Sequence, residues 1–344
     1  MRIAFFVYPW AMQSPGGGEI LLLKTKETLE KKGISVTFFN QWEHKLKNFD
    51  ILHVFGSVKD CLGLMRAAKS AGTKVVLSPI FWSTFNRALN EYGSFTQKTI
   101  GALRHLAKVL VPIMPSARRE MFLVADALLP NSKAELEQVS RLFAINKQKM
   151  HIVYLGIDEK FYNADPREFI NKYKIKDFVL SVGRIEPRKN QLNLIKALKG
   201  SGKQLVFIGD PVIGYENYYE LCRRSAEDAI FINRLQHSDS LFSSAYAACS
   251  VFVLQGWFET PGLVALEAGL AGAKLALTMG GSTKEYFKNY AEYFNPANPA
   301  SIRKAIDLVL TKDKTKDLQR YLFDNFLWLK TTEENIKVYR RITS

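Results

Sequence analysis

Short apolar runs alternate with helical periodicity along almost the whole chain, and the rhythm starts afresh halfway. Residues 2–8, 35–39, 51–55, 74–78, 127–129 and 151–154 read as strands, separated by helical patterns over 19–32, 59–70, 92–110 and 133–143. After a polar, charged stretch at 158–176, strands are predicted at 178–182, 204–208, 229–232, 251–254 and 274–277. Helices at 191–199, 218–226, 238–247 and 263–270 fall among them. Strands that are apolar on both faces and separated by helices imply parallel sheets covered on both sides. The expectation is α/β, with two doubly wound halves joined near 158–176 and facing a central cleft. Ligands of such sheets sit outside the carboxyl ends of the strands. A last helical stretch, roughly 318–341, either closes the second half or packs back across the first.

The chain's 344 residues exceed one ordinary core, so two domains are the default, drawn here as 1–160 and 161–317 with 318–344 as a terminal helix. A hydrophobic fraction of 47% with 24% charged residues excludes a disordered polymer. No apolar run approaches the roughly 18 residues that a membrane span needs. Residues 3–10 lack a cleavage site and run into Pro15-Gly16, so they read as a buried strand rather than a signal sequence. Cys61, Cys222 and Cys249 form neither a disulfide framework nor a zinc pattern, which fits a reducing cytoplasm. The net charge of +15 is denser in the first half and favours anionic partners such as phosphates or anionic lipid headgroups. A solvated basic surface is the plainer alternative for any one cluster. Without a run of five or more like charges, no nucleic-acid tail is expected.

Two carboxylates eight residues apart, Glu259 and Glu267, bracket a predicted helix start. Pro261 suits the first helical position, Gly262 bares the backbone, and Leu263, Leu266 and Leu270 supply an apolar stripe. At 1.5 Å rise per residue the two acids lie at most about 12 Å apart along the axis. The N–H groups of Thr260, Gly262 and Leu263 then form a natural cradle for phosphate. A second constellation runs from Gly183 to Asn190, where Arg184 offers a planar fork and Lys189 a point charge for clamping a diphosphate. Gly16, Gly17 and Gly18 occupy the first strand-to-helix turn, without a dinucleotide or P-loop fingerprint. Gly209-Asp210 and Gly280-Gly281 end strands on the same side, and Arg234-Leu235 follows another, where backbone groups could meet a nucleobase. Gly209 reads as a plain turn. No paired-acid metal motif appears, and none of the five histidines shows ligand spacing, so no metal is expected. His53, at a strand's carboxyl end, is the histidine to watch.

On these residues the chain resembles the retaining GT-B glycosyltransferases of family 4. The elements Gly183–Asn190 and Glu259–Glu267 have the family's spacing, Asp210 resembles its Gly-Asp, and Gly280-Gly281 with Glu285 and Asn295-Pro296 resembles its C-terminal consensus. The resemblance covers nearly the whole chain, specific over 178–296 and loose before 120. It implies two Rossmann-like domains of a GT-B fold, with a nucleotide-sugar bound mainly by the C-terminal one. It also implies Arg184 and Lys189 on the diphosphate, Glu267 on the ribose, Glu259 beside the donor sugar, and a final helix crossing back to the first domain. Three departures stand out. The family's histidine after the fourth strand is absent from Leu77-Ser78-Pro79-Ile80-Phe81-Trp82. The usual Glu-x-Phe-Gly becomes Glu259-Thr260-Pro261-Gly262, and the linker's Asn-Gly becomes Leu155-Gly156.

The expected function is metal-independent transfer of a hexosyl-type group from a nucleoside diphosphate sugar to an acceptor hydroxyl, with retention. Cell-surface glycan, polysaccharide or glycolipid synthesis is the setting implied, and no cofactor besides the donor substrate is expected. The acceptor is a glycan or a lipid-linked sugar; an anionic lipid-linked acceptor would put the protein peripherally at the inner membrane face. A sugar-nucleotide epimerase of the same architecture and a non-catalytic basic Rossmann-type binder are the rival readings. The sequence does not specify the oligomeric state.

Overall fold

The computed structural model describes residues 1–13, 15–85, 94–226, 228–237 and 239–344. It divides into two compact units, one of residues 1–83, 103–156 and 328–344, the other of 84–102 and 157–327.

In the first unit, strands β1 (Arg2–Val7), β2 (Ser35–Phe38), β3 (Ile51–Phe55), β4 (Lys74–Ser78) and β5 (Ala127–Leu128) form one sheet in the order β2-β1-β3-β4-β5. Every pairing is parallel. All five residues of β3 are buried, as a central strand covered on both faces requires. Leu52, Val54, Met65, Val75, Leu77, Met121, Phe122 and Val139 build the core on one face. The helix Trp328–Thr343 belongs to this unit and is anchored by polar contacts. Tyr339 Oη lies 2.7 Å from His53 Nδ1, and Thr331 Oγ1 donates to Tyr154 O at 2.9 Å. His53 is thus a core residue whose other nitrogen meets Ser78 Oγ at 2.9 Å, and burial pushes its pKa down to about 3.

In the second unit, β6 (Phe178–Val182), β7 (Gln204–Ile208), β8 (Ile230–Ile232), β9 (Val251–Leu254), β10 (Leu275–Thr278) and β11 (Ala291–Phe294) run in the order β11-β10-β9-β6-β7-β8. All are parallel, which is the classic dinucleotide-fold order with its reversal between β6 and β9. The two architectures are the Rossmann-like, doubly wound sheets expected from the alternation of strands and helices.

Several local expectations change. Residues 151–154 are not a strand: β5 is two residues long and runs into Pro130, which has no N–H to return. What remains is His151 N–H to Leu128 O (2.9 Å), Val153 N–H to Pro130 O (3.0 Å) and an isolated bridge between Leu128 and Met150. The stretch 158–176 carries a helix, Arg167–Tyr173, with Phe169 buried. Helices Ala117–Val124, Thr283–Phe287 and Pro299–Thr311, and strand β11, were not anticipated. The terminal helical stretch is two helices, Asp317–Phe326 and Trp328–Thr343, separated by Leu327 in extended conformation. The helix read over 92–110 is described from Phe95 to Leu110. Its first residues, and Ser238 at the start of the helix Ser240–Ala248, lie outside the described residues.

Candidate functional site

The loops leaving β6 and β9 flank the strand-order reversal of the second sheet, the place where such sheets leave a crevice. The first loop carries Gly183–Asn190 and the second Gln255–Gly262, and they are stitched together by polar contacts. Trp257 N–H donates to Arg188 O at 3.2 Å and its indole Nε1–H to Pro187 O at 3.1 Å. Asn190 Nδ2 donates to Gln255 O and Pro296 O, and Ser181 Oγ to Gln255 Oε1. The Arg188 guanidinium lies 5.7 Å from the Phe258 ring centroid. A surface turn would not carry this many buried bonds; the two loops are pinned as one platform.

On that platform Lys189 Nζ pairs with Glu259 Oε1 at 2.6 Å, with side chains only 14% and 6% exposed. Burial drives the Lys189 pKa below the ordinary lysine value, while the Glu259 carboxylate pulls it back up. Glu186, within the same loop, receives Arg188 at 3.1 Å and Arg184 at 3.4 Å. Burial pushes Glu186 up, but Arg188, Arg184 and Lys189 outweigh it and hold the carboxyl below its usual value. Arg184 keeps a partly exposed side chain.

Main chain fixes the height of Glu259. Glu259 N–H donates to Gly280 O at 3.0 Å, and Ser282 N–H to Glu259 O at 2.9 Å. A Cβ on Gly281, which sits at φ +101°, would come within 1.9 Å of Glu259 O, and one on Gly280 within 2.4 Å of Trp257 O. On Gly256 a Cβ would approach Glu259 Oε1 to 2.5 Å. The double glycine is therefore a close-approach site for the Glu259 backbone. Gly209 is similar, and not a plain turn: at φ +150°, its Cβ would lie 2.2 Å from Gly183 O.

The helix after Glu259 begins later than its sequence suggests. It spans Leu263–Leu270, with Gly262 as N-cap at φ +90°, a conformation no helix position can take. Pro261, joined to Thr260 by a cis bond, therefore precedes the helix instead of opening it. The first N–H groups, at Leu263 and Val264, lie outside the helical ladder. Glu267, one turn inside, is 3% exposed. Its Oε1 lies 2.7 Å from His237 Nε2, and its Oε2 accepts from Tyr246 Oη at 3.1 Å. A carboxylate only accepts, so His237 carries its proton on Nε2. Burial and the neighbouring Glu267 raise the Tyr246 phenol well above its ordinary pKa. His237 and Tyr246 escaped the sequence reading because they lie 30 and 21 residues before Glu267, with no spacing rule between them.

Asp210 Oδ1 accepts from Arg234 N–H at 3.0 Å, which fixes the backbone of Arg234-Leu235; both Arg234 and Asp210 are exposed. Gly16, Gly17 and Gly18 lie in the first unit. Gly16 is the N-cap of the helix Gly17–Lys31, and Glu19 reaches back to its N–H at 2.7 Å, with Tyr8 Oη donating to the other carboxylate oxygen at 2.9 Å. Among the described residues no group of three His, Cys, Asp or Glu side chains is arranged to hold a metal ion.

The family described as Glycosyl transferases group 1 matches residues 164–322, which contain both loops. A Campylobacter jejuni N-acetylgalactosamine-N,N'-diacetylbacillosaminyl-diphospho-undecaprenol 4-alpha-N-acetylgalactosaminyltransferase is 32% identical over 39% of this chain and 36% of its own length. The chain spans between 28% and 58% of the curated relatives it matches. Among solved structures, Anabaena HepE in complex with UDP-glucose superposes with a TM-score of 0.75 at 16% identity, covering 99% of this chain and 100% of that one. A sucrose-phosphate synthase from Thermosynechococcus elongatus does so with a TM-score of 0.75 at 15% identity, covering 99% of each. The chain therefore has the GT-B fold, and its residues 164–322 are similar to the glycosyl transferases group 1 family.

Proposed function

We propose that the protein transfers a sugar from a nucleoside diphosphate sugar to an acceptor hydroxyl, retaining the anomeric configuration, in the synthesis of a glycan or glycolipid. The observation that carries this reading is the buried Lys189–Glu259 pair on the platform that brackets the strand-order reversal. Lys189 and Arg184 meet the diphosphate, and the N–H groups at the start of the helix Leu263–Leu270 add to the positive field. Charge on the leaving phosphate is met by these groups, with no metal and no separate cofactor required. Glu259 faces the donor sugar. Glu267 takes the ribose hydroxyls: each of its oxygens already accepts one bond, which leaves acceptor capacity on both. The backbone at Arg234-Leu235, held by Asp210, meets the base. The departing phosphate takes the acceptor's proton, which accounts for a site with no separate general base assigned.

Support also comes from relatives. HepE was solved with UDP-glucose, and the Campylobacter enzyme's name specifies a diphospho-undecaprenol acceptor. By that analogy a lipid-linked diphosphate sugar is the acceptor class we favour. The test is a thermal-shift screen over UDP-, GDP-, ADP- and dTDP-sugars, followed by transfer assays with the stabilising donor in the presence and absence of EDTA. The expected product is a new glycoside of the donor's anomeric configuration. Nucleotide-sugars that fail to stabilise the fold would remove the proposal; release of an epimer without an acceptor product would replace it.

A further inference from the structure

Glu135 is a fully buried carboxyl group that the proposed reaction does not use. It stands in the first turn of the helix Lys133–Phe143, and its N–H donates to Oγ of the N-cap Ser132 at 3.0 Å. Its Oε1 accepts the Phe81 N–H at 2.6 Å and its Oε2 the Asn131 N–H at 2.7 Å. Burial outweighs these two donors and pushes its pKa up to about 7, and among the described residues no cation pairs with it. A helix cap alone does not require this, because an exposed Glu or Gln closes the same capping box. What the buried position adds is the bond to Phe81, in the loop that leaves β4. That loop is held from two sides. Gly56 N–H donates to Ser78 O at 2.9 Å and Ser57 N–H to Pro79 O at 3.0 Å. From the helix, Gln138 Oε1 accepts the Ser83 N–H and its Nε2 donates to Ser83 O, each at 3.0 Å. Between these anchors Ile80 takes φ +47°, a left-handed conformation that a β-branched residue adopts only under constraint. Its Cδ1 lies 3.4 Å from the place a Cβ on Gly18 would take, so it leans on the turn after β1, and it is 36% exposed there. Glycine or asparagine would make the same turn with less strain, so the turn itself gives no reason for isoleucine.

We propose that Ile80 is a specificity-determining residue for the acceptor, offering an apolar contact to a methyl-bearing acceptor sugar, and that Glu135 is the residue that positions it. The assignment rests on the transferase reading above, in which residues of the second unit hold the donor and the strand ends of the first unit are left for the acceptor. One methyl group in an apolar contact supports about tenfold discrimination or more. Glu135 acts through the loop. Ionised, it gives Phe81 a charge-assisted bond; protonated, it accepts more weakly and carries an O–H that needs an acceptor of its own. The other titrating or charged groups at this loop are His105, 2.9 Å from Ser83 Oγ, and Arg118 and Lys108, 5.2 and 5.7 Å from the Phe81 ring.

The experiment compares wild type, Ile80→Asn and Glu135→Gln as full chains. UDP-glucose and UDP-N-acetylgalactosamine serve as donors, and farnesyl-diphosphate-linked N-acetylglucosamine or glucose as acceptors. Wild type should favour the acetamido acceptor by about tenfold or more in kcat/KM. Ile80→Asn should melt close to wild type, because relief of strain offsets lost packing. It should raise KM for the acetamido acceptor about tenfold, erase the preference, and leave kcat and stabilisation by the donor unchanged. Glu135→Gln turns an amide NH₂ towards one of two N–H donors, so the Phe81 amide should exchange with deuterium about tenfold faster, with the same change in acceptor KM. In wild type that KM should rise as pH falls from about 8 to about 6. Glu135→Gln keeps His105, Lys108 and Arg118 and should show no such rise. A melting point lowered by about 8 °C or more in Ile80→Asn makes Ile80 a packing residue and overturns the assignment. So does a wild type indifferent to the two acceptors, or a donor response that shifts in Ile80→Asn. Transfer that both variants match removes this assignment alone. A wild type that neither donor stabilises and that forms no product removes the transferase reading, and the assignment with it.

Discussion

Removing the positive half of the Lys189–Glu259 pair should destabilise the protein as well as disable it. At 2.6 Å and an effective dielectric of 20, the two charges attract by about 6 kcal/mol, gross. Desolvation consumes much of that, so the net value of the intact pair is small. Breaking it is another matter: Lys189→Met preserves the stem's volume but strands a Glu259 that is 5% exposed, at a cost of about 3–5 kcal/mol. Glu259→Gln strands the ammonium against an amide oxygen, at a cost of about 1–3 kcal/mol. The double variant leaves neither charge of the pair and should recover about 2 kcal/mol relative to the sum of the singles. Urea midpoints for the four proteins, read with a shared slope, measure the cycle. A coupling energy under about 0.5 kcal/mol would show that the ions are solvated and that the pair is not held as described. Turnover separates stability from chemistry. Lys189→Met, assayed well below its unfolding midpoint, should lose roughly a hundredfold in kcat if the ammonium meets leaving-group charge.

Other consequences are more local. Gly281→Ala forces a Cβ to within 1.9 Å of Glu259 O at a left-handed φ, and should cost about 3 kcal/mol or more by denaturation, with activity lost in the surviving folded fraction. Glu267→Ala should abolish stabilisation by nucleotide-sugars in thermal shift. Tyr246→Phe, which removes one of two bonds to that carboxylate, should cost about 1 kcal/mol of stability and preserve nucleotide binding. His53 is held neutral with a pKa of about 3 against an ordinary 6.5, so between those values the unfolded chain binds a proton that the folded one refuses. Stability should fall as pH drops from 6.5 towards 3, by up to about 1.4 kcal/mol per pH unit, and His53→Gln should flatten that slope in a series of melting curves.

Period and punctuation carried most of the architecture in the sequence. Strands buried on both faces, such as Ile51–Phe55 and Phe178–Val182, leave a short, mostly apolar run in the sequence. The loops after β6 and β9 were legible for the same reason, since each begins where such a run stops. Pairings within them were not. Glu186 stands inside the Gly183–Asn190 element, but its role as counter-charge to two arginines emerges only when the loop curls. His237 and Tyr246 approach Glu267 through the fold of a loop and a helix, a long-range event that leaves no local trace. Pro261 misled because a favourable first-turn residue was followed by a glycine whose φ forbids the helix from starting there. The strand read at 151–154 failed through its partner, β5, which ends before a ladder can grow.

The glycine clasp around Glu259 separates where the carboxylate stands from what surrounds it. Its position is written in peptide groups: an N–H given to Gly280, a carbonyl taken by Ser282, and a neighbouring chain that tolerates no side chain. Residues lining the loops can therefore be exchanged one at a time without moving the acid, so the site can explore new ligands while its anchor keeps its coordinates. The same arrangement makes the glycines intolerant: drift is permitted at the walls of the site and refused at its hinge points. A library that randomises Thr260 and Leu235 should yield folded proteins of altered preference, whereas one that includes Gly280 and Gly281 should yield few folded proteins at all.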